Sequence, residues 1–269
     1  MSEPATPTPT GAPVDVPADR PILQRGARYL LGTTNLYIFL VLIFLVALFS
    51  IISPNHAFYG TSNFLNIAWD SAETLLLAIG ETFVIITAGI DLSVGTVLMC
   101  SGVVASWVIA NNAGTASQVV GGHFPHAGTA VALGIGAGLL VGLIAGLVNG
   151  LLVTRLKMPP FIVTLGIFSV ANGAAELVSS SGAAGQQAIP PVPDSFANSF
   201  GSGSMLVGLP TLVIVAAVCA LIAHIILTRT IFGRRTFAVG SNLEGSRLAG
   251  VPVTSHIIWV YVLCGFMSG

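Results

Sequence analysis

The nine Lys and Arg residues of this chain are sorted rather than spread. Arg20, Arg25 and Arg28 precede the first long apolar run, Arg155 and Lys157 fall between the fourth and fifth, and Arg229, Arg234, Arg235 and Arg247 fall between the sixth and seventh. The loops between, near 53–71, 112–129 and 181–205, carry none. If the apolar runs cross a membrane in turn, every cationic cluster faces one compartment, and the positive-inside bias makes that compartment the cytoplasm. A water-soluble fold has no cause to sort its charge in this way. The expected fold class is all-α: a polytopic transmembrane helix bundle, multi-pass in the inner (plasma) membrane, with a cytoplasmic N-terminus.

Composition agrees. Charged residues make up 7% of the chain and apolar residues 54%, whereas a water-exposed domain carries about 25% charge. The net charge of −1 points to no nucleic-acid partner. Cys100, Cys219 and Cys264 lie inside apolar stretches, away from any metal-ligand spacing, and read as small packing residues. No metal, cofactor or disulfide is expected. Residues 1–21 hold six of the fifteen prolines, so 1–33 reads as a disordered cytoplasmic tail. It does not read as a secretory signal, because no small-residue cleavage site follows the first apolar run.

A membrane helix needs about 20 mostly apolar residues. Spans are expected at 36–52, 72–88, 94–111, 130–153, 161–180 and 206–227, with an interfacial segment at 58–69. A seventh begins near His256 and reaches Gly269 after a length of only about 21 Å at helical rise, short of the roughly 30 Å of hydrocarbon. The domain at 34–269 therefore reads as a single transmembrane bundle with further C-terminal helices to come. In the fourth span Gly134, Gly138, Gly142, Gly146 and Gly150 recur every four residues, a seam along which another backbone can approach.

Carboxylates inside a membrane cost about 2.5–3.5 kcal/mol each on insertion scales, so each needs a reason. Asp70, Glu73 and Glu81 fall within an arc of about 80° on a continuous helix. Asp70 and Glu73 suit the outer headgroup zone; Glu81 reads either as cavity-facing or as a structural acceptor. Glu176 and Asn172, one turn apart, divide the same way. Between the second and third spans stands Gly-Ile-Asp-Leu-Ser-Val-Gly at 89–95. Gly89 can end a helix in the left-handed region and Asp91 can cap the next one. The same break can instead line a solute pathway with exposed helix ends. The basic inner loop 228–255 contains a helix-compatible stretch from Leu243 to Ala249, stopped by Gly250 and Pro252. It is either a solvated connector or a docking helix for a cytoplasmic partner.

Three stretches, GIDLSVG at 89–95, NGLLVTRLKMPPFIVTLG at 149–166 and FGRRTFAVGSNLEGSRLAGV at 232–251, resemble the ribose-type sugar permeases of bacterial ATP-binding-cassette importers. They come in that family's order and spacing, and the resemblance covers about 35–269. It implies a pair of permease subunits (a homodimer) over two cytoplasmic ATPase subunits, a soluble sugar-binding protein outside, and a monosaccharide as cargo. It also implies that the ATPase-coupling loop is built from Arg234, Arg235, Asn242, Glu244, Arg247 and Gly250. Glu244 and Gly250 match the family's pattern; Gly245 and Ser246 replace its usual Ala-Ala and weaken the expected short helix, since Gly costs about 1 kcal/mol against Ala. Asn172-Gly173 and Glu176 depart from the family, and its members are longer.

The expected pathway residues are Glu81, Asp91, Ser93, Asn149, Thr164, Asn172 and Glu176, polar groups suited to transient hydrogen bonds with a neutral sugar. The chain lacks a phosphate-cradling GxxxxGK[ST] loop, so energy must come from a partner and the chain is not itself an enzyme. The rival readings are a stand-alone carrier or channel working through Glu81 and Glu176, and a permease for another small polar solute. Among the latter, a branched-chain amino acid importer is not expected to carry GIDLSVG.

Overall fold

The computed structural model describes residues 33–180, 192, 193, 196, 205, 206 and 209–269. The expected tail with Arg20, Arg25 and Arg28 lies outside the described residues, as does most of the loop 181–205. Two compact units are distinguished, Met1–Gly60 and Thr61–Gly269.

In the first unit, α1 (Thr33–Ile52) is followed by a 3-10 turn at Pro54–Tyr59. Proline at the turn's first position donates no backbone N–H and ends α1. The Phe58 ring stacks on Phe49 with centroids 6.2 Å apart, folding the turn against the helix end.

The second unit contains α2 (Thr61–Ile86), α3 (Val94–Asn112), α4 (Ala116–Val120), α5 (Ala127–Arg155), α6 (Pro160–Ser180), α7 (Thr211–Arg229), α8 (Ile231–Ser241), α9 (Leu243–Leu248) and α10 (Val253–Ser268). A two-residue antiparallel ladder, β1 (Met205–Leu206) with β2 (Leu209–Pro210), precedes α7. Among the described residues, α3, α5, α6 and α7 are long and apolar enough to cross a membrane. Their exposed surfaces carry Leu, Ile, Val and Phe, which suits lipid rather than water. The fold is all-α and belongs to a multi-pass membrane protein.

Helix occupies all seven expected positions, with three differences. The segment 58–69 is not a separate interfacial piece: from Thr61 it is the first part of α2, 26 residues long. The sixth helix starts at Thr211, because β1 and β2 occupy the residues before it. The inner loop 228–255 is mostly helix, since α8 fills what reads in sequence as connector.

The glycine seam brings in two neighbours rather than one. Gly150, Gly146, Gly142 and Gly138 meet Ile258, Tyr261, Gly265 and Gly269 in reverse order, so α5 and α10 run antiparallel in backbone contact. Gly134, at the far end, meets Ile109 of α3. Without a hydrophobic drive between helices in lipid, this close approach is what holds them. Elsewhere Ile79, Phe83 and Val84 of α2 pack with Val260, Tyr261 and Cys264 of α10, and Val97 and Cys100 of α3 pack with Ala171 and Ala175 of α6.

Antiparallel α5 and α10 put Arg155 and Lys157 at the same end as α9. Arg229, Arg234 and Arg235 lie at the α7–α8 corner, and Arg247 lies on α9 itself. The described cations thus share one end of the unit, as the charge pattern requires.

Candidate functional site

Five of the seven expected pathway residues converge on the gap between α2 and α3. Helix α2 ends in a Schellman pattern: Gly89 N–H donates to the Val84 carbonyl at 3.0 Å and Ala88 N–H to Ile85 at 2.9 Å. The residue with positive φ is Ala88, at 61°, not Gly89 as expected. Gly89 is needed for space instead, since a Cβ there would lie 2.8 Å from Tyr261 Oη and 2.9 Å from Val84 Cγ1.

Asp91 follows. Its Oδ1 accepts from Ser93 N–H at 2.9 Å and from Ser93 Oγ at 2.6 Å. Ser93 is the N-cap of α3 and its own side chain caps nothing. The expected cap is therefore displaced: Asp91 orders the capping residue rather than the first helical N–H groups. From α5, Asn149 Nδ2 donates to Asp91 Oδ2 at 3.3 Å and to Ser93 Oγ at 2.9 Å. From α2, Glu81 Oε1 accepts from Asp91 N–H at 3.1 Å. From α6, Thr164 Oγ1 donates to the Ile90 carbonyl at 3.3 Å.

Asp91, Ser93, Asn149 and Thr164 are all buried. They form a closed polar knot, and irregular backbone at this depth is tolerated because protein surrounds it. Asn149 lies six residues before the basic end of α5, about 9 Å along the axis. Asn172 and Glu176 do not join the knot. They sit exposed on one face of α6, two and three turns beyond Thr164. Asp70 and Glu73 are exposed on α2; Asp70 lines an open groove of about 650 Å³ with Ser71 and Thr74.

Two members of this site are not evident in the sequence. Cys264, read there as a packing residue, is buried but also places its Sγ 3.9 Å from Glu81 Oε2. Tyr261 lies under Gly89 with its hydroxyl fully buried. For Tyr261 the one signal is its four-residue spacing to Gly265 and Gly269, which repeats the period of the α5 seam; Cys264 carries none.

The second site is α9. Asn242 closes α8, its N–H donating to Ala238 at 3.0 Å, and opens α9, its Oδ1 accepting from Gly245 N–H at 2.7 Å. Helix α9 then ends in a second Schellman pattern around Gly250, with φ at 81°. Glu244 and Arg247 pair at 2.8 Å on its exposed face, and Leu248 is 83% exposed. Gly245 does not abolish the helix. A Cβ there would press to 3.0 Å from the Asn242 amide, so glycine leaves room for the cap. Arg234 and Arg235 are exposed on α8.

A family model described as a branched-chain amino acid transport system / permease component matches residues 63–269. The chain belongs to this permease family. Similar proteins include the ribose import permease of Bacillus subtilis (strain 168), 38% identical over 234 residues. The D-allose transport system permease protein of Escherichia coli (strain K12) is 32% identical over 231 residues, and the fructose import permease of Rhizobium meliloti 31% over 252. The alignments cover 86%, 86% and 93% of this permease, and 64%, 64% and 65% of those relatives. The chain thus spans just under two thirds of the length of the curated relatives it matches. No solved structure matches it.

Proposed function

We propose that the chain is the membrane-spanning permease subunit of an ATP-binding-cassette importer that carries a monosaccharide across a bacterial inner membrane. Its partners are a second copy of itself, two cytoplasmic ATPase subunits and a sugar-binding protein outside. Membrane lipid surrounds the bundle, and the N-terminus is cytoplasmic. The sugar reading rests on the relatives named for ribose, allose and fructose, since the family description itself names amino acids.

The observation that carries this reading is α9. A capped, six-residue helix at the cationic end displays a Glu–Arg pair beside an exposed leucine. That combination suits a protein cleft, where the apolar side chain is buried and the charges set the register. ATP-driven closure of the partner dimer would move α9, and the bundle would alternate between inward-open and outward-open states. The polar knot suits a gate: its carboxylate, hydroxyl and amide N–H groups pair with one another when closed, the buried Asn149 Oδ1 stands without a partner there, and all can serve a polyol when parted. A neutral sugar needs such hydrogen bonds and no fixed counter-charge. Weak contacts suffice, because a tight site would slow release.

A stand-alone carrier using Glu81 and Glu176 is less well supported. Glu81 is engaged with the Asp91 amide, and Glu176 stands apart on α6. Co-purification separates the two readings. The importer requires that an ATPase subunit is retained by the wild-type permease and lost on Glu244→Arg. Sugar uptake that persists without any ATPase subunit would establish the carrier instead.

A further inference from the structure

We propose that α8 is a strut joining the docking helix to the helix break, with Gly240 as its bearing point. This rests on the reading of α9 as the docking helix. Both elements that flank α9 in sequence touch the same few residues at the break. In the last turn of α8, a Cβ on Gly240 would overlap the Ile86 carbonyl oxygen and lie 3.4 Å from Thr87 Cα. Ile86 is the last residue of α2, and only Thr87 separates it from the left-handed Ala88. On the other side, α10 sets the Tyr261 hydroxyl against Gly89.

The joints that connect these contacts to α9 have little slack. Asn242 alone separates α8 from α9, and it caps both. Helix α8 is tied to α10 by a 3.0 Å hydrogen bond between Thr236 Oγ1 and His256 Nε2, both buried. The Phe232 and His256 rings approach to 4.6 Å between centroids. Helices α8, α9 and the start of α10 therefore form one braced corner. What lies above it is the non-helical stretch 87–93, held by the polar knot. A displacement imposed on α9 is passed to that stretch because packed interfaces switch between arrangements rather than deform smoothly. Gly240 matters as a positioning residue: only hydrogen there lets the strut bear directly on main chain, so a side chain would lift α8 off the break.

The test uses the assembled transporter, permease with ATPase subunits and binding protein, in nanodiscs and proteoliposomes. Gly240→Ala is one variant. Alanine is the better helix former, so a loss cannot come from a weakened α8. A second variant inserts two glycines after Ser241, which loosens the joint and leaves Gly240 in place. A fluorescent unnatural amino acid at the exposed Ile90 reports the break. Both variants are expected to retain ATPase subunits and ATP hydrolysis, while uptake falls about tenfold or more, within the range of coupling between linked sites. The nucleotide-dependent signal at residue 90 is lost with it. Uptake and signal equal to wild type in either variant overturn the strut, as does a wild-type transporter that works with no nucleotide response at 90. A wild type that neither retains the ATPase nor shows ATP-dependent uptake refutes the importer reading itself. If Gly240→Ala fails to assemble, the insertion variant carries the test.

Discussion

Asn149 of α5 donates to Asp91 across 58 residues of sequence, and through it the α2–α3 break is fixed to the helix that carries the glycine seam. Asp91 accepts from three donors, two of them on Ser93. Asp91→Ala strands the two Ser93 donors and leaves Asn149 Nδ2 only Ser93 Oγ, at a cost of about 1–3 kcal/mol for each group left unsatisfied. Thermal unfolding of the detergent-solubilised permease should shift downward and uptake should fall. Unchanged uptake and stability would reduce Asp91 to a dispensable turn residue.

The seam makes a position-specific prediction. A Cβ on Gly142 overlaps the Gly265 carbonyl oxygen, and a Cβ on Gly265 overlaps that of Gly142. Either change to alanine should destabilise the unfolding transition by about 1–3 kcal/mol, the usual cost of overpacking. Gly136, on the same helix, has open space around its Cβ position. Gly136→Ala should instead be neutral or gain up to about 1 kcal/mol from helix propensity.

At the end of α2 the two neighbouring small residues should respond oppositely. Ala88 sits at a φ of 61°, a region that costs a residue with a Cβ roughly 1–2 kcal/mol. Ala88→Gly should therefore raise the melting temperature. Gly89→Ala drives a methyl into Tyr261 and Val84 and should lower it. Equal shifts for both variants would show that backbone conformation and space are not divided between these positions as described.

Asn242→Ala removes the cap of α9, worth about 1 kcal/mol in typical helices, and leaves the Glu244–Arg247 pair untouched. The expected outcome is weaker retention of the ATPase subunit in pull-downs with overall thermal stability nearly unchanged. A large drop in melting temperature would mean that Asn242 supports the whole bundle rather than α9 alone.

Much of this was legible in sequence because membranes impose long-range regularities. Charge sorting gave the shared end of the described cations, the four-residue glycine period gave the seam, and Gly250 with Pro252 gave the end of α9. The misses have local causes. Residues 58–69 read as interfacial because aromatic side chains are mixed there with polar ones such as Asn63 and Asn66, yet α2 runs on from Thr61 through them. Helix α8 was hidden by its arginines and three glycines or threonines, although Thr230 caps it and Gly233 and Gly240 exist to let it pack. The left-handed residue was assigned to Gly89 by preference alone, because Tyr261, distant in sequence, is what demands glycine there. The same distance concealed Cys264 as a neighbour of Glu81.

The α5–α10 contact has a further consequence. Where glycine faces glycine, two main chains touch without side chains between them, and their Cα–H groups point at carbonyl oxygens across the gap. Detergent replaces lipid around a helix pair but does not wedge between backbones this close. During extraction and heating these two helices should part last, and their amides should be among the slowest in the chain to exchange hydrogen for deuterium.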